Sequence, residues 1–505
     1  MPGFISYTFK LACTAGIALL FWGLPLNAGP SVPDSPAMEM NLAEAINVAL
    51  RSNRTVKSAF LDRVVQKFNL EVARDKFNPD VDLTTTTGYT GGETQTKGAA
   101  NSTATNLNLS SKLTGTKKIE TGGTFTFSWS RDDTLSDTDT SAEDRSATNT
   151  WAIDFTHPLL KGAGTDVATA SVTLAELTEQ SNILSHRDTI ISTVNATISA
   201  FRSYAQSVRQ MDIIKASLER SRANLEMNRV LIDMGRMPPN EIIQSESDVA
   251  NQEFSQETAL NDLDNARLNL LRVLDLPRET RITPIEETDL SPVHPDFDTC
   301  LKAAFKNRAD YLNANMDLDR TQISLVLAED NMKWNLDLTS GVSAADNDRR
   351  NSANSDDYNW NVGLKLDIPI YGTNIHSRDQ GLLIAQTDQK KAIINLEETK
   401  QNITLEVQDA IREVETSLKQ VGMAERSRQL AQKKLAVEME KLKVGRTTNF
   451  QLVSFQNDLV DSQNAEVNAK VAYLNALSAL DTILATTLET WQIDYNKEYD
   501  KWPGK

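Results

Sequence analysis

The chain contains a stretch of 67 residues, Ser377 to Lys443, without a proline and with apolar residues that recur at intervals of seven. Two heptad series side by side predict a long helix with helical neighbours on more than one flank. At 1.5 Å per residue this helix would be about 100 Å long. No globular domain requires a rod of that length, so the chain is restricted to an elongated architecture. The two series are Leu396, Ile403, Ala410 and Val407, Val414, Val421.

The same unit occurs earlier in the chain. Each unit has a short helix, strand-like segments that end in proline, a long arm, a glycine-centred turn and a helix that runs back to its start. These landmarks in one order predict a tandem duplication of about 210 to 255 residues. The first unit comprises Asn41 to Asp75, His157-Pro158-Leu159-Leu160, Asp166 to Met234, Met234-Gly235-Arg236 and Glu241 to Leu274; the second comprises Phe297 to Asn331, Ile368-Pro369-Ile370-Tyr371, Ser377 to Lys443, Val444-Gly445-Arg446 and a helix ending at Leu484.

The helix lengths predict how the helices stack. The segments Asn41 to Asp75 and Glu241 to Leu274 together are as long as Asp166 to Met234. Two half-length helices can therefore lie end to end beside one long arm and fill a wall of uniform height. The proline-containing linker from Asp275 to Pro295 joins the two repeats, and we expect it outside this wall.

The N-terminus has the features of a secretory signal peptide. Lys10 precedes an apolar run from Leu11 to Leu24, and Ala28 ends a small-residue cleavage site. Lys10 stands where a lipoprotein signal requires an aliphatic residue, so lipidation at Cys13 is rejected. The predicted division is a signal peptide at residues 1–28, a first repeat at 29–295, a second repeat at 296–490 and a C-terminal tail at 491–505.

Cysteine content and net charge argue against an intramolecular disulfide and against a nucleic-acid partner. Cys300 would be the single cysteine after cleavage, so no intramolecular disulfide is expected, and a lone cysteine is most often a small buried apolar residue. The formal net charge of −17 argues against nucleic acid as a partner, because phosphate binding requires clustered cations.

Between the helices the periodicity changes from helical to twofold. Four segments in the first repeat and two in the second alternate apolar and polar residues, which predicts strands with one apolar face. Ten-residue strands of this kind suit a membrane β-barrel. A soluble half-buried sheet has the same alternation, but the predicted export and the aromatic residues Trp129, Trp151 and Trp360, placed as membrane-interface anchors, favour the barrel. The segments are Val81–Tyr89, Leu107–Leu109, Phe125–Trp129, Trp151–Phe155, Leu336–Val342 and Trp360–Ile368.

The number of strands predicts assembly. Neither four nor six strands close a barrel, for which about eight is the minimum, and lipid does not tolerate open sheet edges. Several copies of the chain must therefore share one barrel. Long connections at one end, such as 132–148 and 344–357, and a shorter one at 114–122 are expected, as in outer-membrane barrels.

The ordered set of landmarks resembles the outer membrane efflux protein family, the TolC-like channels, over about Asn41 to Leu488. The resemblance is carried by Leu42-Ala43-Glu44-Ala45-Ile46, His157-Pro158-Leu159-Leu160 and Val444-Gly445-Arg446 before Leu452-Val453. It implies a homotrimer with a β-barrel in the outer membrane and a long α-helical barrel in the periplasm. It further implies an exit duct that works with a periplasmic adaptor and an inner-membrane transporter, in efflux or type I secretion.

Residue roles follow from the resemblance. The adaptor would dock at the tip turns Gly235-Arg236 and Gly445-Arg446, although each glycine also serves a left-handed turn. The family narrows its pore with acidic residues at places that hold Gln451 and Ser454 here, so Glu241 of the first repeat is the acidic candidate. The alternative is that Glu241 starts a helix. The family has two strands per repeat, so residues Leu107 to Leu113 and Thr124 to Ser130 either form an added hairpin or make six barrel strands per chain.

Other functions receive less support. The four histidines are scattered, and neither a nucleophile–base pair, a metal-ligand spacing nor a phosphate-binding glycine loop is present, so no enzyme activity, metal or cofactor is expected. The alternative is a non-transporting periplasmic coiled-coil spacer or a surface adhesin. Either explains the helices but not the strands with one apolar face.

Overall fold

The computed structural model describes residues 38–94, 102–138, 141–285, 290–349, 354–370, 372–444 and 446–494. The predicted signal peptide and Gly445 lie outside the described residues. The same order of elements occurs twice, with two short helices, strands, a long helix and a returning helix in each half. The elements are β1 (Met38–Met40), α1 (Leu42–Ser52), α2 (Arg54–Arg74), β2 (Asp80–Thr94), β3 (Ser102–Lys118), β4 (Thr124–Thr138), β5 (Ser141–Pro158), α3 (Thr165–Asp233), α4 (Glu241–Leu274), β6 (Ile282–Pro284), α5 (Phe297–Asn307), α6 (Ala309–Met332), β7 (Asn335–Arg349), β8 (Ser355–Asp367), α7 (Thr373–Lys443), α8 (Asn449–Ile483) and α9 (Thr487–Thr490).

The two long arms form as predicted, α3 with 69 residues and α7 with 71. Each packs along its returning helix, α4 or α8. The heptad series of α7 is buried at all six positions, so the spacing of seven does identify helix–helix seams. In α3 the series Leu177, Leu184, Ile191, Ile198 is buried at its last two positions and half-buried at the first two.

The short helices are not continuous, which corrects the prediction from sequence. Asn53 interrupts the first and Arg308 the second, each with an extended backbone at φ −60° or −67°. The side chain of Asn53 accepts a hydrogen bond from the Thr55 amide at 2.8 Å and donates to the Val273 carbonyl at 2.9 Å. The Asn53 side chain therefore both caps α2 and holds the break between α1 and α2 in place. As predicted, α1, α2 and α4 all pack on α3.

The strands form one antiparallel sheet in the order β2-β3-β4-β5-β7-β8. The two extra segments of the first repeat are thus strands of the same sheet, and each chain supplies six. The strands are 13 to 18 residues long rather than about ten. The predictions of long connections at 132–148 and 344–357 are wrong. β4 continues to Thr138 and β5 begins at Ser141, and β7 continues to Arg349 and β8 begins at Ser355. The outer ends of these strands carry polar residues like those of a turn, so the sequence did not show where each strand ends.

A second, two-stranded sheet lies beside the helices. Met38–Met40 pairs in parallel with Ile282–Pro284 of the linker between the repeats. Met40 and Ile282 are buried, and the Tyr204 hydroxyl donates to the Ile282 carbonyl at 2.6 Å. The linker that we expected outside the wall therefore contributes to the core formed by α1, α3 and the end of α4.

The core divides into patches along the rod. One surrounds Phe201 where α1, α3 and α4 meet, one surrounds Tyr473 where α5, α7 and α8 meet, and a smaller one around Leu452 lies near the tip. Cys300 is buried in the second patch, as predicted. No helix among the described residues is both long and apolar enough to cross a membrane.

Candidate membrane face, wall edges and periplasmic tip

One face of the six-stranded sheet is apolar. Residues directly opposite one another on neighbouring strands point to the same side, and the register places Phe127, Ile153, Val342 and Trp360 in one row. Trp151 is 52% exposed and Trp360 is 76% exposed. The sheet therefore presents large apolar side chains to its surroundings across neighbouring strands.

The predicted aromatic residues share this face. Trp129 lies opposite Trp151 with ring centroids 5.9 Å apart, and Trp360 lies opposite Val342. On β8 the apolar series spans nine residues from Tyr358 to Leu366, close to the about 9–11 residues that a tilted strand needs to cross a bilayer. Their role as interface anchors stays a prediction.

On the same face charged residues follow the apolar row of Phe127 and Trp360, although the row of Tyr89, Leu107 and Leu135 beyond them is again apolar. Beyond Trp129 the next outward residues of β4 are Arg131 and Asp133, whose side chains are joined by a hydrogen bond of 2.8 Å. On β7 and β8 the same level holds Asp346 opposite Asp356. The strands thus continue past the band by several residues.

The opposite face of the sheet is polar and built from small side chains. Its rows carry hydroxyl, amide, glycine and some charged residues, among them Lys112 and Asp132, without a large apolar side chain between Asp82 and Thr90 or between Thr126 and Thr134. One face suits lipid and the other suits water, which is the arrangement of a barrel with an aqueous interior.

Two edges of the helical wall carry apolar side chains that have no partner within the described part of the chain. Toward the sheet, α2, α3, α6 and α7 lie side by side, so α2 and α7 are outermost. The outer stripe of α2 consists of Leu61, Val65, Phe68 and Val72, and that of α7 includes Leu383, Ile384 and Ile394. Toward the tip, α7 exposes Met423, Leu430, Val437 and Val444 at intervals of seven, and α4 exposes Ile243 and Phe254.

The first tip turn closes the α3–α4 hairpin. Gly235 has φ +68°, a left-handed backbone, and no atom lies within 4 Å of the position of an added Cβ. The Arg236 amide donates to the Leu231 carbonyl at 2.8 Å, which is the helix-ending pattern that a glycine at this place permits. Arg236 is exposed. The turn itself accounts for the glycine, and the Arg236 side chain is available to a partner.

The second turn has the same backbone pattern. The Arg446 amide donates to the Lys441 carbonyl at 2.9 Å, and Arg446 is exposed. Glu438 anchors this turn, because its Oε1 accepts from the Thr447 hydroxyl at 2.5 Å and its Oε2 accepts from Lys441 at 3.0 Å. These bonds lower the pKa of Glu438. The bond from Thr447 has the larger effect and the bond from Lys441 the smaller one.

The three pore-constriction candidates differ in position. Glu241 is half-buried and is the first residue of α4, as the helix-start alternative requires. Gln451 and Ser454 are exposed in the first turns of α8, and Leu452 and Val453 between them are buried. A constriction role for the three residues stays a proposal.

The main feature near the tip that the sequence did not reveal is a buried polar cluster. Asn449 of α8 accepts from the amides of Asn224 and Asn228, both at 2.9 Å, and its own amide donates to Ser245 at 2.8 Å. Asn228 also donates to Ser245 at 2.7 Å. All four side chains are buried. The cluster joins α3 and α4 of the first hairpin to α8 of the second.

A detectable signal did exist for this cluster. Buried positions of α3 follow the spacing 4-3-4 through Ser217, Ser221, Asn224 and Asn228. That is coiled-coil spacing occupied by small polar residues. A heptad series defined by apolar residues alone does not include these positions.

Among the described residues, no group of three or more His, Cys, Asp or Glu is placed to hold a metal ion. His186 lies next to the buried ion pair of Arg63 and Glu179. Burial and the Arg63 charge lower the pKa of His186, so it is neutral at neutral pH. The ion pair joins α2 to α3 and has a structural role.

Comparison with known proteins agrees with this architecture. Residues 300–486 match the outer membrane efflux protein family. Over these residues the chain is similar to outer membrane efflux proteins. The resemblance inferred from sequence is thus confirmed, and this is a family of channels rather than of enzymes.

The likeness to solved structures extends over nearly the whole chain and concerns the fold. The outer membrane channel CmeC of Campylobacter jejuni superposes with a TM-score of 0.66 at 13% identity, covering 91% of this chain and 89% of CmeC. The open-state channel MtrE of Neisseria gonorrhoeae gives 0.61 at 14%, covering 88% of each chain. The predicted fold class, long helical hairpins with antiparallel strands, is confirmed.

Sequence similarity is more limited in extent. The cation efflux system protein CusC of Escherichia coli K12 is 24% identical over 194 residues, which is 38% of this chain and 37% of CusC. The aligned segment therefore spans little more than a third of that relative.

Proposed function

We propose that the chain is the outer-membrane exit duct of a tripartite efflux or type I secretion system and has no catalytic role. Copies of the chain would share one barrel in the outer membrane, and their helices would form a tube through the periplasm. The single observation that carries this proposal is the six-stranded sheet with an apolar band on one face and small polar side chains on the other. A periplasmic spacer or an adhesin has no use for such a sheet.

The open edges support assembly into a ring. Among the described strands, β2 and β8 each have a neighbour on one side only. Unpaired strand edges are not tolerated in lipid, so β8 of one copy would pair with β2 of the next. The outer stripes of α2 and α7 would meet at the same junction below the membrane. Sheet and helices therefore require the same head-to-tail contact, which closes into a ring.

Three copies are the number that we propose, as in the family that the chain resembles. Each ring junction would bury the α2 stripe around Phe68 against α7, and the junction nearer the tip would bury Phe254 of α4 against Met423, Leu430 and Val437 of α7. Interfaces between permanently associated subunits are usually apolar, as these two contacts would be.

The tip is the end of the rod opposite the sheet, and we propose that a periplasmic adaptor docks there. The exposed side chains Arg236 and Arg446 project from two equivalent turns. An inner-membrane transporter would deliver the substrate through that adaptor. Expected partners are thus other copies of the chain, outer-membrane lipid, the adaptor and the transporter.

Replacing Phe68 by Glu tests the ring. Phe68 is 62% exposed in the single chain, so the carboxylate costs little there, but it would be buried without a partner at the junction. We expect the purified Phe68→Glu protein to be a folded monomer by mass measurement in detergent, whereas the unmodified protein is a trimer. Lys67→Glu adds the same group beside the stripe and should leave the trimer intact. A stable monomer of the unmodified protein would refute the assembly.

A further inference from the structure

The added hairpin β3–β4 is built into the six-stranded sheet. β3 pairs with β2 from Asp80–Thr116 to Thr94–Ser102, and β4 pairs with β5 over a similar length. Its apolar side chains, among them Leu109, Leu113 and Phe127, lie on the same face as those of the other strands. The hairpin therefore adds two strands to the sheet itself and does not form a flap on either side of it.

The turn of this hairpin is fixed to the start of the long helix α3. The Gly164 amide donates to the Thr121 carbonyl at 3.2 Å. Gly122 has φ +100°, and a Cβ there would lie 2.3 Å from the Gly162 carbonyl oxygen. Only glycine permits this approach, so the hairpin has a specified place above the helical wall.

Strand and helix spacings show what the two extra strands do. Strands are about 4.8 Å apart, and at a tilt of about 45° each occupies about 6.8 Å of circumference, so six span about 40 Å. Four helices at 8–10 Å span about 32–40 Å. Four strands would span only about 27 Å. With the hairpin, the sheet of each chain matches the arc of the four helices α2, α3, α6 and α7 below it.

We propose that the hairpin β3–β4 widens the membrane barrel to the width of the helical tube, so that the duct is not narrowed where it crosses the membrane and passes bulky hydrophilic cargo. This rests on the proposed trimer, which gives 18 strands. The barrel would be about 38 Å across its backbone, with a free radius of about 14 Å after side chains, against about 8 Å for four strands per chain. The lumen residues are mostly small, such as Thr126, Ser128 and Thr150, and the longer ones, Lys112 and Lys365, are charged.

Few residues connect the strands at the outer end of the sheet. Seven residues separate Thr94 from Ser102, two separate Thr138 from Ser141, and five separate Arg349 from Ser355. A loop of seven residues extends at most about 12 Å from its ends, because its chain must return. No single connection is therefore long enough to span the roughly 28 Å between opposite walls that a free radius of about 14 Å leaves open.

Two engineered cysteines in the full-length protein test the width. Ser128→Cys places a thiol on the polar face, and Ser340→Cys places one on the apolar face, opposite Phe155. Intact cells are treated from outside with maleimide-polymers of graded hydrodynamic radius. Cys300 is buried, so the unmodified protein gives the background.

Ser128→Cys is expected to react with a small maleimide and with polymers of about 11 Å radius, between the two estimated free radii. If the small reagent reacts but polymers with a radius above about 8 Å do not, the wide lumen is refuted and the proposed channel still stands. Reaction of Ser340→Cys but not of Ser128→Cys with the small reagent would overturn both this inference and the proposed channel, because it reverses the two faces of the sheet.

Discussion

Replacing Asn449 by alanine should separate the two helical hairpins near the tip. The side chain is 1% exposed and makes three hydrogen bonds, two accepted from Asn224 and Asn228 and one donated to Ser245, at 2.8–2.9 Å. Each such bond contributes about 0.5–1.5 kcal/mol net, and a buried amide left without a partner costs more. Because Asn228 keeps its bond to Ser245, we expect a total loss of about 3 kcal/mol in the docking of α8 on α3 and α4.

Hydrogen exchange measures this loss directly. A loss of about 3 kcal/mol raises the open population roughly 100-fold, so amides at the start of α4 and α8 should exchange faster by that factor while those around Phe201 do not change. Asn457→Ala is the matched control, since Asn457 is exposed on the same helix and its contact with Gln252 is 3.4 Å long. Equal exchange in the two variants would refute the view that the polar cluster holds the hairpins together.

Three further predictions concern the tip. Glu438→Gln removes a carboxylate whose folded pKa is lowered by Thr447 and Lys441, so its stabilisation is complete above the unfolded pKa of about 4.3 and lost as pH falls through the lower folded value; melting curves of variant and unmodified protein should converge there, and a constant difference at all pH values would contradict this. Gly235→Val strains a left-handed backbone in open space, so export should fail while trimer mass and membrane insertion persist; unchanged export would exclude this turn as the adaptor contact. Glu241→Gln should lower cation selectivity in reversal-potential measurements if three carboxylates surround the pore, and unchanged selectivity would leave Glu241 as a helix-start residue.

The long hairpins could be predicted because apolar spacing in a rod is decided locally. Val407 and Val414 are buried at the seam, and the returning helix α4 begins at Glu241 and ends at Leu274 as expected. Strand alternation identified the sheet and its apolar face for the same reason. Each of these features depends on residues close together in sequence.

Features that depend on distant partners were missed. The break at Asn53 uses the Val273 carbonyl, 220 residues away, and helical periodicity continues across it. The strand Ile282–Pro284 forms only because Met38–Met40 pairs with it. The polar cluster around Asn449 needs both repeats, so its residues resemble a solvated face until the hairpins are docked. The tip turns were located from their glycines, but what binds there is a property of a partner.

The central claim is that the chain forms a channel across the outer membrane. Its most direct test is the conductance of the purified full-length protein in a planar bilayer, measured with the Asn449→Ala variant alongside. We predict discrete conductance steps from both forms, and more frequent opening of the variant if the helices close the duct at the tip. Folded protein that inserts but gives no steps in either form would contradict the channel and favour a spacer or an adhesin.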